Sequence, residues 1–134
     1  MKSIFSQIIN KQIPCHLIAE NDYAIAFLDI NPIALGHTLV VPKIQVDYLF
    51  DLDSDNYREL WSFAKLVSIA IKKTIACSRI GVSVVGFEVP HAHIHLIPIN
   101  SIHDMNFSNK ITISSVNIKK IAKDIANNFQ GILI

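Results

Sequence analysis

The stretch "EVPHAHIHLIPI", residues 88–99, holds three of the chain's six histidines within five positions. His91, His93 and His95 recur at every second residue, with Ala92, Ile94 and Leu96 in the alternate places. In an extended strand alternate side chains share a face, and a two-residue step covers about 6.6 Å. The spacing therefore sets three imidazoles in a row on one face, with an apolar, core-type face behind them. Imidazole titrates near neutrality, so such a row can supply a nucleophilic nitrogen, donors for an anion and a route for protons. Attack on phosphorus uses all three, because the reacting centre is anionic and needs donors around it. Two other readings fit the same residues. Histidines at i and i+2 can bind one zinc ion if Asp29, Glu88 or His37 supplies a further ligand. A half-buried strand can also carry imidazoles on its polar face with no chemical role.

The elements that must position this row follow from pattern. Ile4, Ile8 and Ile9 share one side of a short helix over residues 3–10, with Ser3 as its N-cap. "HLIAENDYAIAFLDI" reads as two strands about a turn at Glu20 to Asp22, and "HTLVVP" as a short buried strand. Asp53 or Ser54 caps a long helix on which Leu60, Phe63, Ala64, Val67, Ala70 and Ile71 recur at helical spacing, ending near Cys77. The β-branched run "IGVSVV" predicts the next strand, and "HAHIHLIPI" another. Ile118, Ile121, Ala122, Ile125 and Phe129 mark an amphipathic C-terminal helix. Strands that are mostly adjacent and short-looped, with helices inserted separately, give an α+β fold. Its expected form is an antiparallel sheet of about five strands with a long central helix and short flanking helices. Residues 1–134 read as one domain, with 111–134 as a C-terminal extension.

Composition narrows the function. The chain has 134 residues, 51% of them apolar and 17% charged, which is the profile of a globular protein. A formal net charge of +1 argues against an extended nucleic-acid or anionic membrane interface and leaves small nucleotides open as ligands. No apolar run approaches a membrane span, and "MKSIFSQIINKQIP" lacks the continuous apolar core of a signal peptide. Cys15 and Cys77 are far apart and in no Cys-x-x-Cys pair, so they read as free thiols in a reducing cytoplasm.

"HAHIHLI" resembles the signature of the histidine-triad (HIT) family, in which three histidines alternate with apolar residues. "IFSQIINKQIPCHLIAEND" is similar to that family's opening helix and hairpin, and "AFLDINPIALGHTLVVPK" to its second block. The three blocks occur in the family's order across roughly residues 3–100. The resemblance implies a nucleotidyl hydrolase or transferase acting at an α-phosphate, with a purine nucleotide as substrate and no cofactor. His93 would attack phosphorus and form a covalent nucleotidyl-histidine, and water would then release the mononucleotide. His95 would bond the phosphate, while His91 and His37 complete the imidazole cluster. Asp29 would hold the ribose hydroxyls, and Phe5, Ile8, Ile13, Leu28 and Ile30 would wall the base pocket. Taken without the resemblance, those apolar residues read as plain core, and Asp29 in "LDINP" as the cap of a turn.

Two departures from the family's pattern bear on the chemistry. Many relatives carry a Cys-x-x-Cys and a later histidine that hold a structural zinc. Here Ser3 and Ser6 occupy the cysteine places and "PKIQVDYL" has no histidine, so no bound metal is expected. In the loop before the triad, Phe87 stands where glutamine is common, and Glu88 where serine or threonine is common. An ionised Glu88 close to a phosphate would repel it. The resemblance also implies a homodimer, which Trp61 and the apolar face of "VSIAIKKTIA" could serve, though a monomer core could equally absorb them.

Overall fold

Ser3, Asp53 and Ser114 each accept a hydrogen bond from the backbone N–H three residues on, and each begins a helix. The helices are α1 (Ile4–Ile9), α2 (Ser54–Thr74) and α3 (Ser115–Gln130). The structure, a computed structural model, describes residues 1–132, so the end of the expected C-terminal segment, 133–134, lies outside the described residues. Five strands complete the chain: β1 (Leu17–Glu20), β2 (Ala24–Leu28), β3 (Thr38–Pro42), β4 (Arg79–Ser83) and β5 (Ile94–Ile99). They form one sheet in the order β1-β2-β3-β5-β4, every neighbouring pair antiparallel. This is the α+β architecture that the sequence predicts.

Alternation along the strands splits the apolar residues between two faces. Ala24, Ala26, Leu28, Val40, Ile94 and Leu96 face α2 and α3 and form the large core with Leu60, Phe63, Val67, Ile71 and Ile125. Ile25, Phe27, Leu39 and Val41 face the other way and pack with Phe5 of α1. Each side chain of this size taken out of water contributes about 1.5–3 kcal/mol, so the α2–α3 layer dominates the hydrophobic term. The C-terminal helix belongs to that layer: Ile118, Ala122 and Ile125 are buried there, and the Phe129 ring meets Phe63 at 5.8 Å.

Several boundaries differ from the sequence expectation, each for a local reason. The turn between β1 and β2 is set by Asn21, whose side-chain oxygen accepts from the N–H groups of Tyr23 and Ala24. Val84 and Val85 of "IGVSVV" fall beyond β4, which ends at Ser83 opposite His95. The histidine strand is shorter than its pattern suggests. Its ladder starts at Ile94, paired with Val40, so His91 and His93 precede it. Upstream, the backbone partners are taken: the Pro42 carbonyl accepts from the His91 ring, and the Ala92 N–H donates to Val46. The alternation survives without the ladder, because Ala92 is buried in the α2 core while His91 and His93 point to the other face.

Candidate active site

The loop end of β5 and the start of β3 bring four imidazoles together on the face opposite α2. His37 immediately precedes β3, and His95 sits in β5 opposite Leu39 of that strand. All four rings are buried, with His37, His91, His93 and His95 exposing 7% of their surface or less. The ring centres of His93 and His95 lie 4.9 Å apart, those of His37 and His95 5.2 Å. Phe5 of α1 packs edge-on against His93 at 5.0 Å and against His91 at 5.9 Å. Gly36 makes the approach of β3 possible. Its φ is +85°, and a Cβ there would come within 2.9 Å of Ile75.

The fixed backbone partners determine where the protons sit. His93 Nδ1 is 2.8 Å from the His91 carbonyl, which can only accept, so Nδ1 carries the hydrogen and Nε2 keeps a bare lone pair. His91 Nε2 is 2.8 Å from the Pro42 carbonyl and is protonated for the same reason. Its Nδ1 then accepts from the Ser3 hydroxyl at 2.6 Å. His37 Nδ1 accepts the N–H of Ile33 at 3.1 Å, which places the His37 hydrogen on Nε2. That nitrogen is 2.9 Å from His95 Nδ1 and 3.5 Å from Asp29 Oδ2. His95 accepts at Nδ1 and, when neutral, presents Nε2–H as a donor.

Burial favours the uncharged form of His37, His91 and His95. It pushes the His95 pKa down to about 3, with the neighbouring His93, His37 and Lys110 adding to the effect. His37 is pushed down to about 4, again mainly by burial, although the Asp29 carboxylate beside it pulls the other way. The His91 pKa is lowered by burial, partly opposed by the bond to the Pro42 carbonyl. Neutral imidazoles can act as ligands, and Asp29, His37 and His95 offer atoms within 4.8 Å of one another. The proton arrangement works against a metal there. The Ile33 N–H occupies the lone pair of His37, so the nitrogen facing His95 and Asp29 is the protonated one.

A cavity of about 230 Å³ opens beside the imidazoles, between α1, the end of β2 and the loop that precedes His91. Phe5, Ile8, Ile13, Leu28, Asp29, Ile30 and Glu88 line it, together with His93 and His95. These residues are not equivalent. Phe5 and Leu28 are almost fully buried, Leu28 chiefly within the α2 core, whereas Ile30 is 71% exposed at the rim. Asp29 does cap its turn, accepting the Asn31 N–H at 2.8 Å through Oδ1. A wider cleft of about 500 Å³ also borders His93, lined by Tyr48, Phe50, Trp61, Val84, Val85 and Phe87. His93 lines both spaces. Phe87 itself is 94% exposed.

Three contributors lie outside the sequence expectation. The Phe107 ring stands 4.9 Å from the His95 ring and 6.1 Å from that of His37, covering their outer side. Lys110 lies over the Phe107 ring, 5.8 Å from its centre. Both come from an irregular segment with no periodicity, held to the body by a bond from Ile111 N–H to the Pro32 carbonyl. Gln45 receives the N–H of Ser3 at 2.8 Å and the hydroxyl of Ser6 at 2.6 Å on its side-chain oxygen. Ser3, Ser6, Gln45 and His91 thereby form one hydrogen-bonded cluster. His16 and His103 belong to none of this, and Cys15 and Cys77 are free thiols.

Comparison with known proteins places this arrangement. An uncharacterized HIT-like protein of Borreliella burgdorferi is 33% identical, covering 93% of this chain and 96% of its own length. The adenosine 5'-monophosphoramidase of Saccharomyces cerevisiae is 36% identical over 96 residues, 71% of this chain and 61% of the yeast protein. The crystal structure of a Hit-like protein from Bartonella henselae superposes with a TM-score of 0.83 at 30% identity, over 95% of this chain and 96% of that one. The HIT domain model matches residues 10–102, a span that contains the hairpin, α2 and all four clustered histidines, and on these grounds the chain belongs to the HIT family.

Proposed function

We propose that the protein is a metal-independent nucleotidyl hydrolase that cleaves nucleoside 5'-phosphoramidates, or secondarily dinucleoside polyphosphates, at the α-phosphate. The observation that carries this reading is the proton state of His93. Its Nδ1–H is held by the His91 carbonyl, and its Nε2 lone pair is left free beside the cavity. In the first step that lone pair forms the Nε2–P bond as the bond from phosphorus to the leaving group breaks, the leaving group taking the electron pair; a phosphoramidate nitrogen, protonated beforehand, leaves as the neutral amine. Water then attacks phosphorus as the Nε2–P bond breaks and returns its electron pair to Nε2; the water's proton passes to solvent, the mononucleotide departs and His93 is restored. His95 Nε2–H, backed by the donor His37, is the group suited to bond a phosphate oxygen in both steps. His93 borders both the cavity and the wider cleft, which leaves room beside it for a nucleoside and a leaving group. Asp29 at the cavity wall is an acceptor for ribose hydroxyls, and the apolar Phe5, Ile8 and Ile13 suit a purine. The phosphoramidase name of the yeast relative supports the same substrate class.

The protein is read as a cytoplasmic homodimer; no described helix is long and apolar enough to cross a membrane. An open β4 edge with exposed Val82, Val84 and Val85, beside Tyr48 and Phe50, is a suitable surface for a second copy. One observation favours a second reading, a nucleotide-binding module with little turnover. Glu88 shares the cavity wall with His93 and His95, where an ionised carboxylate opposes an anionic phosphate. Incubating the wild type and His93→Ala with adenosine 5'-phosphoramidate, with and without chelator, separates these. Chelator-resistant turnover that is lost with His93 supports the hydrolase. Tight binding of the mononucleotide with no turnover supports the binding module.

A further inference from the structure

We propose that Ser3 is a positioning residue for the nucleophile His93, acting through His91; the proposal rests on the hydrolase reading above. Ser3 is the hub of the buried cluster at the start of α1. Its N–H donates to Gln45 Oε1 at 2.8 Å, and its Oγ accepts the Ser6 N–H at 3.0 Å. The hydroxyl has one hydrogen, and two acceptors compete for it: His91 Nδ1 at 2.6 Å and Ser6 Oγ at 3.3 Å. The shorter contact takes it. Ser6 spends its own hydrogen on Gln45 Oε1 at 2.6 Å, so every hydroxyl in the cluster has a defined direction.

The consequence for His93 runs through both ends of His91. The His91 ring is clamped on one side by the Ser3 hydroxyl and on the other by the Pro42 carbonyl, and it is fully buried. With the ring fixed, the His91 carbonyl is fixed too, and that carbonyl holds His93 Nδ1–H at 2.8 Å. This is the bond that leaves Nε2 bare. Ser3 also caps the helix that carries Phe5, whose ring rests against both His91 and His93. One side chain therefore anchors the orienting carbonyl and the wall against which the nucleophile packs. His91 accordingly has a task that does not require it to touch substrate.

Three substitutions separate positioning from helix capping. Ser3→Thr keeps both the cap and the hydroxyl donor. Ser3→Asp keeps the cap acceptor but, when ionised, cannot donate to His91 Nδ1. Ser3→Ala loses both. With adenosine 5'-phosphoramidate, Ser3→Thr is expected within about threefold of wild-type kcat, whereas Ser3→Ala and Ser3→Asp lose on the order of 10- to 100-fold with KM little changed, as for a displaced reacting group. Ser3→Asp should recover most of the melting temperature lost in Ser3→Ala without recovering kcat. Nitrogen NMR of the unliganded proteins gives a second readout: His93 should be the Nδ1–H form in wild type and Ser3→Thr and a tautomer mixture in Ser3→Asp. Wild-type kcat in Ser3→Asp, or an unaltered His93 tautomer there, would overturn the proposal. If the wild type turns over no substrate, the hydrolase reading fails and the tautomer comparison alone decides the role of Ser3.

Discussion

His37 Nε2 stands 2.9 Å from His95 Nδ1, and the N–H of Ile33 at the far side of the His37 ring decides which of the two carries the proton. A backbone donor thus sets the tautomer of one imidazole, which sets the next, and the chain ends on a His95 N–H that can meet a phosphate oxygen. Its partner series runs from Ser3 through His91 to His93 and ends on the opposite kind of nitrogen, a bare lone pair. A donor nitrogen and a bare lone pair come from neighbouring rings because two separate backbone contacts orient them in opposite senses.

Replacing His37 tests the first series. His37→Ala leaves the Ile33 N–H without its partner in a buried place, at a cost of about 1–3 kcal/mol, in addition to the cavity it opens. Thermal denaturation should show that loss. Under the proposed mechanism turnover should fall through kcat more than KM, since a bond from His95 to phosphate would matter most as charge develops.

The depressed histidine pKa values have a definite sign in stability. Above pH 6.5 His37, His91 and His95 are neutral whether folded or unfolded and contribute no pH dependence. As the pH falls below 6.5 the unfolded chain takes up protons that these three folded sites refuse, so stability drops; His37 takes up its proton in the fold only near pH 4 and His95 near pH 3. Each refused proton costs about 1.4 kcal/mol per pH unit. Denaturant titrations between pH 7 and 4 should show the decline, with a shallower slope in His95→Gln.

Glu88 is expected to restrain turnover. Glu88→Gln removes a carboxylate from the wall shared with His93 and His95 and should raise kcat/KM for nucleotide substrates about 3- to 10-fold, near 1 kcal/mol for a partly solvated charge. High salt should shrink the difference. Equal rates for the two proteins at low salt would show that the carboxylate does not face the phosphate.

Lys110 lies over the Phe107 ring and its charge helps to lower the pKa of both His37 and His95, so in the proposed mechanism it is a cation beside the phosphate. Lys110→Ala should weaken a substrate with an anionic leaving group, such as a dinucleoside polyphosphate, by several-fold. A phosphoramidate with a neutral leaving group should be nearly unaffected. Steady-state kinetics on the two substrates reads the difference directly.

The sequence is legible where periodicity and chemistry coincide. The alternation of His91, His93 and His95 with Ala92, Ile94 and Leu96 gives the correct facing even though only His95 lies in the hydrogen-bonded strand. Ser3 is recognisable as a helix cap, and Asp53 likewise. What sequence alone does not show is the use of one group twice. Nothing local marks Ser3 as the partner of a histidine 88 residues away, or the Pro42 carbonyl as the acceptor that ends a β-ladder. Phe107 and Lys110 are equally hidden, because an irregular polar segment carries no period and its path is set by tertiary contacts, among them the bond from Ile111 N–H to the Pro32 carbonyl.

The central claim is that His93 Nε2 becomes covalently bonded to the nucleotide during turnover. Rapid quench of the enzyme with adenosine 5'-phosphoramidate into alkaline denaturant, which preserves the acid-labile phosphorus–nitrogen bond, followed by intact-protein mass spectrometry and peptide mapping without acid, reads this directly. The expected result is one adenylyl group on the peptide containing His93, appearing before steady state and absent from His93→Ala, which does not turn over. Turnover by His93→Ala at a rate near wild type, or an adenylyl group mapped to another residue, would contradict the account.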